Sequence, residues 1–232
     1  MARRLQPFGG RLRAAGKAGG EITGTLRVSM PETILTYKSQ PFIRAFREAA
    51  PRVKLLVQTQ NCYAARCRLL NGEIDVAVHY NVGGASGSVV THELADFRQA
   101  LVASPSLAAE EGDFVSCGQH KSVTLISNDK HCISQEIFDG YLRERDIFIE
   151  NVIELWSVEA IKRSVMSDLG VAFLPYFAVS GELESGQLVE LETELKENRI
   201  TAFCSYHKNK WKSPAIELFI NLAKEYFSGG SV

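Results

Sequence analysis

Apolar positions along this chain follow two alternating periods, and the alternation occurs twice. From Gly24, the segment TLRVSM places Leu26, Val28 and Met30 at every second residue, the pattern of a strand, which Pro31 stops. Leu35, Phe42, Phe46 and Ala49 then keep helical spacing as far as the proline of AAP, with Pro41 marking a kink or a late start. In VKLLVQTQ, Val53, Leu55 and Val57 share one face of the next strand. A short helix over 62–70 leads through NG into a third strand, EIDVAVHY.

Past the loop NVGGASGS (81–88) the order changes. FRQALVAS reads as a strand leaving the first unit. A second unit follows: the strand SVTLIS (122–127), a helix over 133–145, a strand near 150–155, a helix with Val158, Ile161 and Val165 as its buried stripe, and the buried strand VAFLP. Gly170, just before that strand, permits a tight helix-to-strand turn. RITAFCSYHK returns as a strand with Ile200, Ala202, Cys204 and Tyr206 alternating, and a helix from Ser213 carries Ile216, Phe219, Ile220, Ala223 and Phe227 on one face.

Strands alternating with helices predict an α/β fold with mostly parallel strands. One segment leaving the first unit and another returning to it predict two Rossmann-like lobes joined by two crossover strands, with a ligand cleft between them. The expected division is a flexible basic arm or linker remnant over 1–21, a first lobe over 22–96 plus 200–232, and a second lobe over 97–199. The arm, MARRLQPFGGRLRAAGKAGG, has no sustained apolar period, and its glycines weaken any helix.

Composition narrows the function classes. A formal net charge of −1 gives the whole chain no electrostatic case for nucleic acid. No apolar run approaches the roughly 20 residues that a membrane span needs. The N-terminal arginines are followed by no apolar core, so no secretory signal is read there. Five scattered cysteines without a CxxC suit a reducing compartment, and the expected location is cytoplasmic.

Several stretches, in order and at matching intervals, resemble the effector-binding domain of LysR-type transcriptional regulators. They are GTLRVSMP (24–31), FREAAPRVKL (46–55), LLNGEIDVAV (69–78), LVASPSLA (101–108), SVEAIKRSVMSDLGVAFLP (157–175), GQLVEL (186–191) and SPAIELFI (213–220). The resemblance covers about residues 22–228. It implies a type 2 periplasmic-binding-protein-like fold, a small-molecule effector between the lobes, and a homodimer or homotetramer. Contact with DNA is implied only through a winged helix-turn-helix, which has no counterpart in this sequence. The chain therefore reads as the sensing half of a regulator, with no cofactor and no membrane partner.

Ligands of parallel sheets bind beyond the carboxyl ends of the strands, where helix N-termini offer free N–H groups to anions. Four such turns and the end of the third strand supply the candidate contacts. Thr33, after the first strand, reads as a ligand hydroxyl or a helix cap; Glu32 beside it is expected to face solvent unless the effector carries an amine. Asn61 and Cys62 follow the second strand, at the turn that the resemblance places in the effector pocket. The third strand ends at His79 and Tyr80, and the phase that aims one of them into the cleft stays open; His79 reads as a carboxylate ligand when protonated or as an exposed strand end. In the second lobe, Asn128 and His131 flank the turn after LIS, and Ser157 with Val158 opens a helix, Ser157 as N-cap and ligand contact together. An organic acid is the favoured effector, an amino-acid-like compound the next.

Three other classes carry less. Catalysis would need a nucleophile, a base and an orienting group in reach, and no Gly-rich phosphate loop, GxSxG or HExxH is present. The cysteines and histidines fit no zinc spacing. The pair His131–Cys132 resembles the peroxide-sensing branch of the same family, but Tyr141 stands where that branch has its second cysteine. A solute-binding protein of a transport system shares the fold and is the alternative.

Overall fold

The computed structural model describes residues 21–81, 87–129, 132–196 and 198–228. The first unit begins with β1 (Gly24–Met30), α1 (Glu32–Tyr37), α2 (Gln40–Ala49) and β2 (Val53–Thr59). It continues through α3 (Cys62–Leu70) and β3 (Val76–Tyr80). β1 pairs in parallel with both β2 and β3. The single helix expected before β2 is two helices. The break falls at Ser39, whose hydroxyl donates to the Leu35 carbonyl at 2.8 Å while its N–H donates to the Ile34 carbonyl at 2.9 Å, and Pro41 sits in the first turn of α2. Pro41 therefore marks a fresh start, the position where its missing N–H costs nothing.

β4 (Val89–Ala103) joins the two halves and is longer than FRQALVAS suggests. It pairs with β9 (Arg199–His207) from Val89 to Arg98, then with β7 (Ala172–Pro175) on one edge from Gln99 and with β8 (Val189–Leu191) on the other from Leu101. The rest of the second half is α4 (Pro105–Glu111), β5 (Gln119–Ser127), α5 (Ile133–Glu144), β6 (Ile147–Glu154), α6 (Val158–Met166) and α7 (Tyr176–Glu184). β5 and β6 pair in parallel, and Leu125 bridges to Val171, which attaches them to β7. The chain returns along β9, antiparallel to β3 and β4, and ends in α8 (Pro214–Ser228).

The predicted apolar stripes become separate cores. Leu26, Val28, Phe42, Phe46, Phe219, Ala223 and Phe227 fill the first half, where the Phe42 ring meets the Phe219 edge at 5.5 Å. In the second half, Phe114, Phe138 and Phe173 pack on one side, while Val158, Ile161 and Val165 of α6 pack with Ala172 and Val179 on the other. Gly170 plays a role other than the turn expected of it. The left-handed residue of the helix-to-strand turn is Asp168 (φ 60°), and Gly170 is needed because a Cβ there would lie 2.0 Å from the Thr124 carbonyl oxygen of β5. Residues 1–20 of the basic arm lie outside the described residues.

Candidate functional site

β1, β2, β3, β5 and β7 end around one cavity of about 460 Å³. This is the place that parallel-sheet topology predicts, and the size suits a small organic molecule. Its polar wall comes from the first turns after the strands: Glu32 and Thr33, Gln60 and Asn61, Asn128 and Asp129, Ser134 and Gln135. Ile126, Val158, Phe173 and Leu174 form an apolar wall, and the exposed Trp156 stands at the margin.

Side chains from the two halves meet across this space. Asn61 Oδ1 caps α3 by accepting the Ala64 N–H at 2.8 Å, while its Nδ2 donates to Asp129 Oδ2 at 2.9 Å. The Tyr63 hydroxyl donates to Glu136 at 3.0 Å. Glu32, expected to face solvent, instead points at α6: its carboxylate accepts the Val158 N–H at 3.2 Å and the Ser157 hydroxyl at 3.3 Å. On the flank, Tyr37 donates to Glu159 and accepts from the buried Lys162 at 3.2 Å; Lys162 also reaches Glu182 at 2.9 Å.

Of the eight residues that the sequence nominates, Thr33, Asn61, Cys62, Asn128 and Val158 line the cavity. Thr33 caps nothing; α1 starts at Glu32 with Pro31 before it, and the Thr33 hydroxyl shares a 2.8 Å hydrogen bond with Tyr80. Ser157 occupies the N-cap position of α6 but its side chain makes no cap bond, because Glu32 takes the free N–H from the other half. His131 lies outside the described residues.

His79 is directed away from the cavity, and Tyr80 resolves the phase. The His79 ring stacks on Phe203, with Nε2 2.8 Å from Ser205 Oγ and Nδ1 2.8 Å from its own neighbour's carbonyl oxygen on Tyr80. Burial lowers its pKa from the ordinary 6.5, so it is a neutral packing residue at pH 7 and no carboxylate ligand. The Tyr80 hydroxyl faces the cavity, and burial raises its pKa.

The two cysteines of the cavity are held as thiols. Burial pushes Cys62 up to about 12, and its Sγ accepts the Tyr80 N–H at 3.3 Å. Loss of water also raises Cys132, at the start of α5. Thiols kept protonated are poor nucleophiles. The expected position of a second redox cysteine is filled by a core tyrosine: the Tyr141 hydroxyl donates to the Phe114 carbonyl at 2.6 Å and accepts the Glu194 N–H at 3.1 Å.

Known proteins share this sequence and this fold. Residues 19–228 match the model of the LysR substrate binding domain family. The chain belongs to that family. The uncharacterized HTH-type transcriptional regulator YfiE of Escherichia coli is 42% identical over 219 residues, which cover 94% of this chain and 74% of that protein. YwqM of Bacillus subtilis, also an uncharacterized HTH-type transcriptional regulator, is 28% identical over 208 residues, covering 89% of this chain and 70% of that protein. Among solved structures, the regulatory domain of NMB2055 (MetR), a LysR family regulator from N. meningitidis, superposes with a TM-score of 0.72 at 19% identity, covering 89% of this chain and 94% of that one. The reduced regulatory domain of OxyR2 from Vibrio vulnificus gives 0.70 at 15% identity, covering 90% and 98%. These two show that the fold is shared. A LysR domain of this kind is a ligand-sensing regulatory domain.

Within this LysR domain, sequence reasoning misses Asp129, Cys132, Ser134 and Gln135 as cavity residues and misplaces Glu32. The signal for Asp129 is its position between a strand end and a helix start, the same rule that finds Asn128; Ser134 lies one residue further in, in the first turn of α5. For Glu32 the signal is weaker, an acid in a first helical turn, since its partner is 126 residues away. No helix among the described residues is long and apolar enough to cross a membrane.

Proposed function

We propose that this domain binds a small organic effector in the cavity between its halves, here taken as 22–96 plus 200–232 and 97–199, and that binding controls transcription through a DNA-binding segment of the regulator. The carrying observation is that one cavity is walled by both halves, which touch each other through hydrogen bonds at its rim. An effector that prefers one relative placement of the halves shifts the population toward it by its differential affinity. The ligand is bound and released unchanged, without cofactor or metal, as a transcriptional regulator requires. The curated relatives are HTH-type regulators, which favours this reading over a transport protein of the same fold.

Transmission to DNA is proposed to run through a homodimer or homotetramer. Leu56 on the edge strand β2, and Phe148 and Val152 on the edge strand β6, expose apolar surface suited to self-association. The test is a thermal-shift screen with amines, amino acids, organic acids and sugars, followed by titration of each hit into Asn128→Trp. Position 128 is half-buried on the cavity wall, and an indole there fills the space. Loss of binding supports the cavity as the effector site; undiminished binding moves the site elsewhere.

A further inference from the structure

Where the two halves join, one buried polar side chain meets both the connecting strands and the cavity wall. β4 leaves β9 after Arg98 and takes up β7 at Gln99, opposite Pro175. At that residue the Gln99 N–H donates to the carbonyl of Asn198, just before β9, at 2.6 Å. The Gln99 side chain is 1% exposed, and its Oε1 accepts the Ser134 hydroxyl at 2.8 Å. Ser134, in the first turn of α5, is itself buried and belongs to the cavity lining. The Gln99 Nε2 donates to the Phe97 carbonyl at a longer 3.5 Å.

Packing gives no reason for an amide at this position. The next four residues of β4, from Ala100 to Ala103, are apolar and buried, and a buried amide costs stability unless its hydrogen bonds are made. What the amide adds is direction, because a buried hydrogen bond fixes an angle that apolar contact leaves free. The first turn of α5 has a further contact with the other half, through Glu136, which accepts from the Tyr63 hydroxyl. One helical turn therefore touches the cavity, the first half and the junction of the connecting strands.

Resting on the reading of this cavity as the effector site, we infer that Gln99 is a positioning residue. Through the Ser134 hydroxyl it sets the connecting strands, and so the relative placement of the halves, according to what fills the cavity. An occupant that displaces α5 turns the Ser134–Gln99 bond. Gln99 then passes the displacement along β4 and, through Asn198, to β9. Strand junctions of this kind absorb the backbone change in a hinge motion. The coupling has a physical warrant because one element, the first turn of α5, is biased from both ends.

The experiment measures the placement of the halves by double electron–electron resonance. Nitroxides are attached to the two exposed native cysteines, Cys67 on α3 and Cys117 ahead of β5, with labelling held to two per chain and verified by peptide mass spectrometry. Ser134→Ala removes the donor, and Gln99→Met removes the acceptor while keeping its length. Tyr141→Phe is the control: it deletes a buried bond of the same kind, to the Phe114 carbonyl, from the same helix but within the second half. Asn128→Trp supplies an occupant of the cavity tied to the chain. Thermal melts establish which variants are folded.

The expected result is a shifted and broadened distance distribution in Ser134→Ala and Gln99→Met, and a distribution like the parent's in Tyr141→Phe. Asn128→Trp should displace the mean distance, and by a different amount once Ser134→Ala is added. The inference is overturned by a distribution like the parent's in Ser134→Ala or in a folded Gln99→Met, or by equal broadening in Tyr141→Phe. A displacement by Asn128→Trp that is the same with and without the Ser134 hydroxyl, zero included, also overturns it. Failure of the cavity reading is seen separately, as an effector still bound by Asn128→Trp. Unchanged distances in Ser134→Ala remove the role of Gln99 and leave the cavity standing.

Discussion

Glu32 accepts the Val158 N–H at 3.2 Å from across the cleft, so the first half of the molecule caps a helix of the second. A free helix N-terminus is satisfied, and a negative group meets the positive end of the α6 dipole. Ser157, the residue in the sequence position for that cap, contributes only a 3.3 Å donation to the same carboxylate.

Glu32→Ala is therefore expected to cost about 1 kcal/mol, the value of a lost cap, and Ser157→Ala less than about 0.5 kcal/mol. Urea unfolding of the two variants measures the difference. Equal losses, or a larger one for Ser157→Ala, would show that the cap lies within the second half.

Gly170→Ala should destabilise by about 2–3 kcal/mol. Its new Cβ would fall 2.0 Å from the Thr124 carbonyl oxygen, and the neighbour is backbone, which yields only by parting β5 from β7. The Val171 N–H donates to that same Thr124 oxygen at 2.9 Å, so the displacement breaks a sheet bond as well. A melting temperature unchanged from the parent would contradict the packing.

Much of this fold is legible from periodicity because its strands and helices each bury one stripe. Leu26, Val28 and Met30, or Ile216, Phe219, Ile220, Ala223 and Phe227, announce both element and face. β3 does not: Val76, Ala77 and Val78 are all buried, so period two carries no phase at its end and His79 cannot be told from Tyr80. α4, α7 and β8 are short and lack a readable stripe. In the site, positions after strand ends are found by topology alone, as Thr33, Asn61 and Asn128 illustrate. What topology cannot supply is the partner of a side chain. Glu32 and Val158 are distant in sequence, and their meeting depends on how the halves are set together.

His79 gives a pH dependence with a defined sign. Burial lowers its folded pKa below the ordinary 6.5, with the nearby Arg66 acting in the same direction and the Tyr80 carbonyl opposing. The unfolded chain therefore binds the proton more readily, so stability is full above about 6.5 and declines as pH falls through the folded value. His92 shifts in the same direction, which makes the difference between proteins the useful quantity. His79→Gln should flatten the loss of stability between pH 7 and pH 5. An identical slope in parent and variant would remove His79 as a source.

Ser127→Ala should raise stability by about 1 kcal/mol. The Ser127 hydroxyl at the end of β5 is buried and has no hydrogen-bond partner among the described residues, so its oxygen bears a desolvation cost without return. Chemical denaturation compares the two proteins directly, and a loss of stability would mean that the hydroxyl has a partner such as an ordered water.

Thiol chemistry separates effector sensing from redox sensing. Cys67 and Cys117 are exposed, Cys62 and Cys204 are buried, and Cys132 is intermediate. With Cys62 and Cys204 each pushed up to about 12 by burial, their thiolate populations near neutral pH are about three orders of magnitude below that of an ordinary thiol. Iodoacetamide labelling of the native protein, followed by peptide mass spectrometry, should modify Cys67 and Cys117 first, Cys132 later, and Cys62 and Cys204 only on unfolding. Tyr141 fills the core site where a second redox cysteine would stand, so peroxide should produce no intramolecular disulfide from Cys132. Rapid labelling of Cys132 ahead of the exposed pair, with a peroxide-dependent change in DNA affinity of the regulator, would turn the reading from ligand to oxidant.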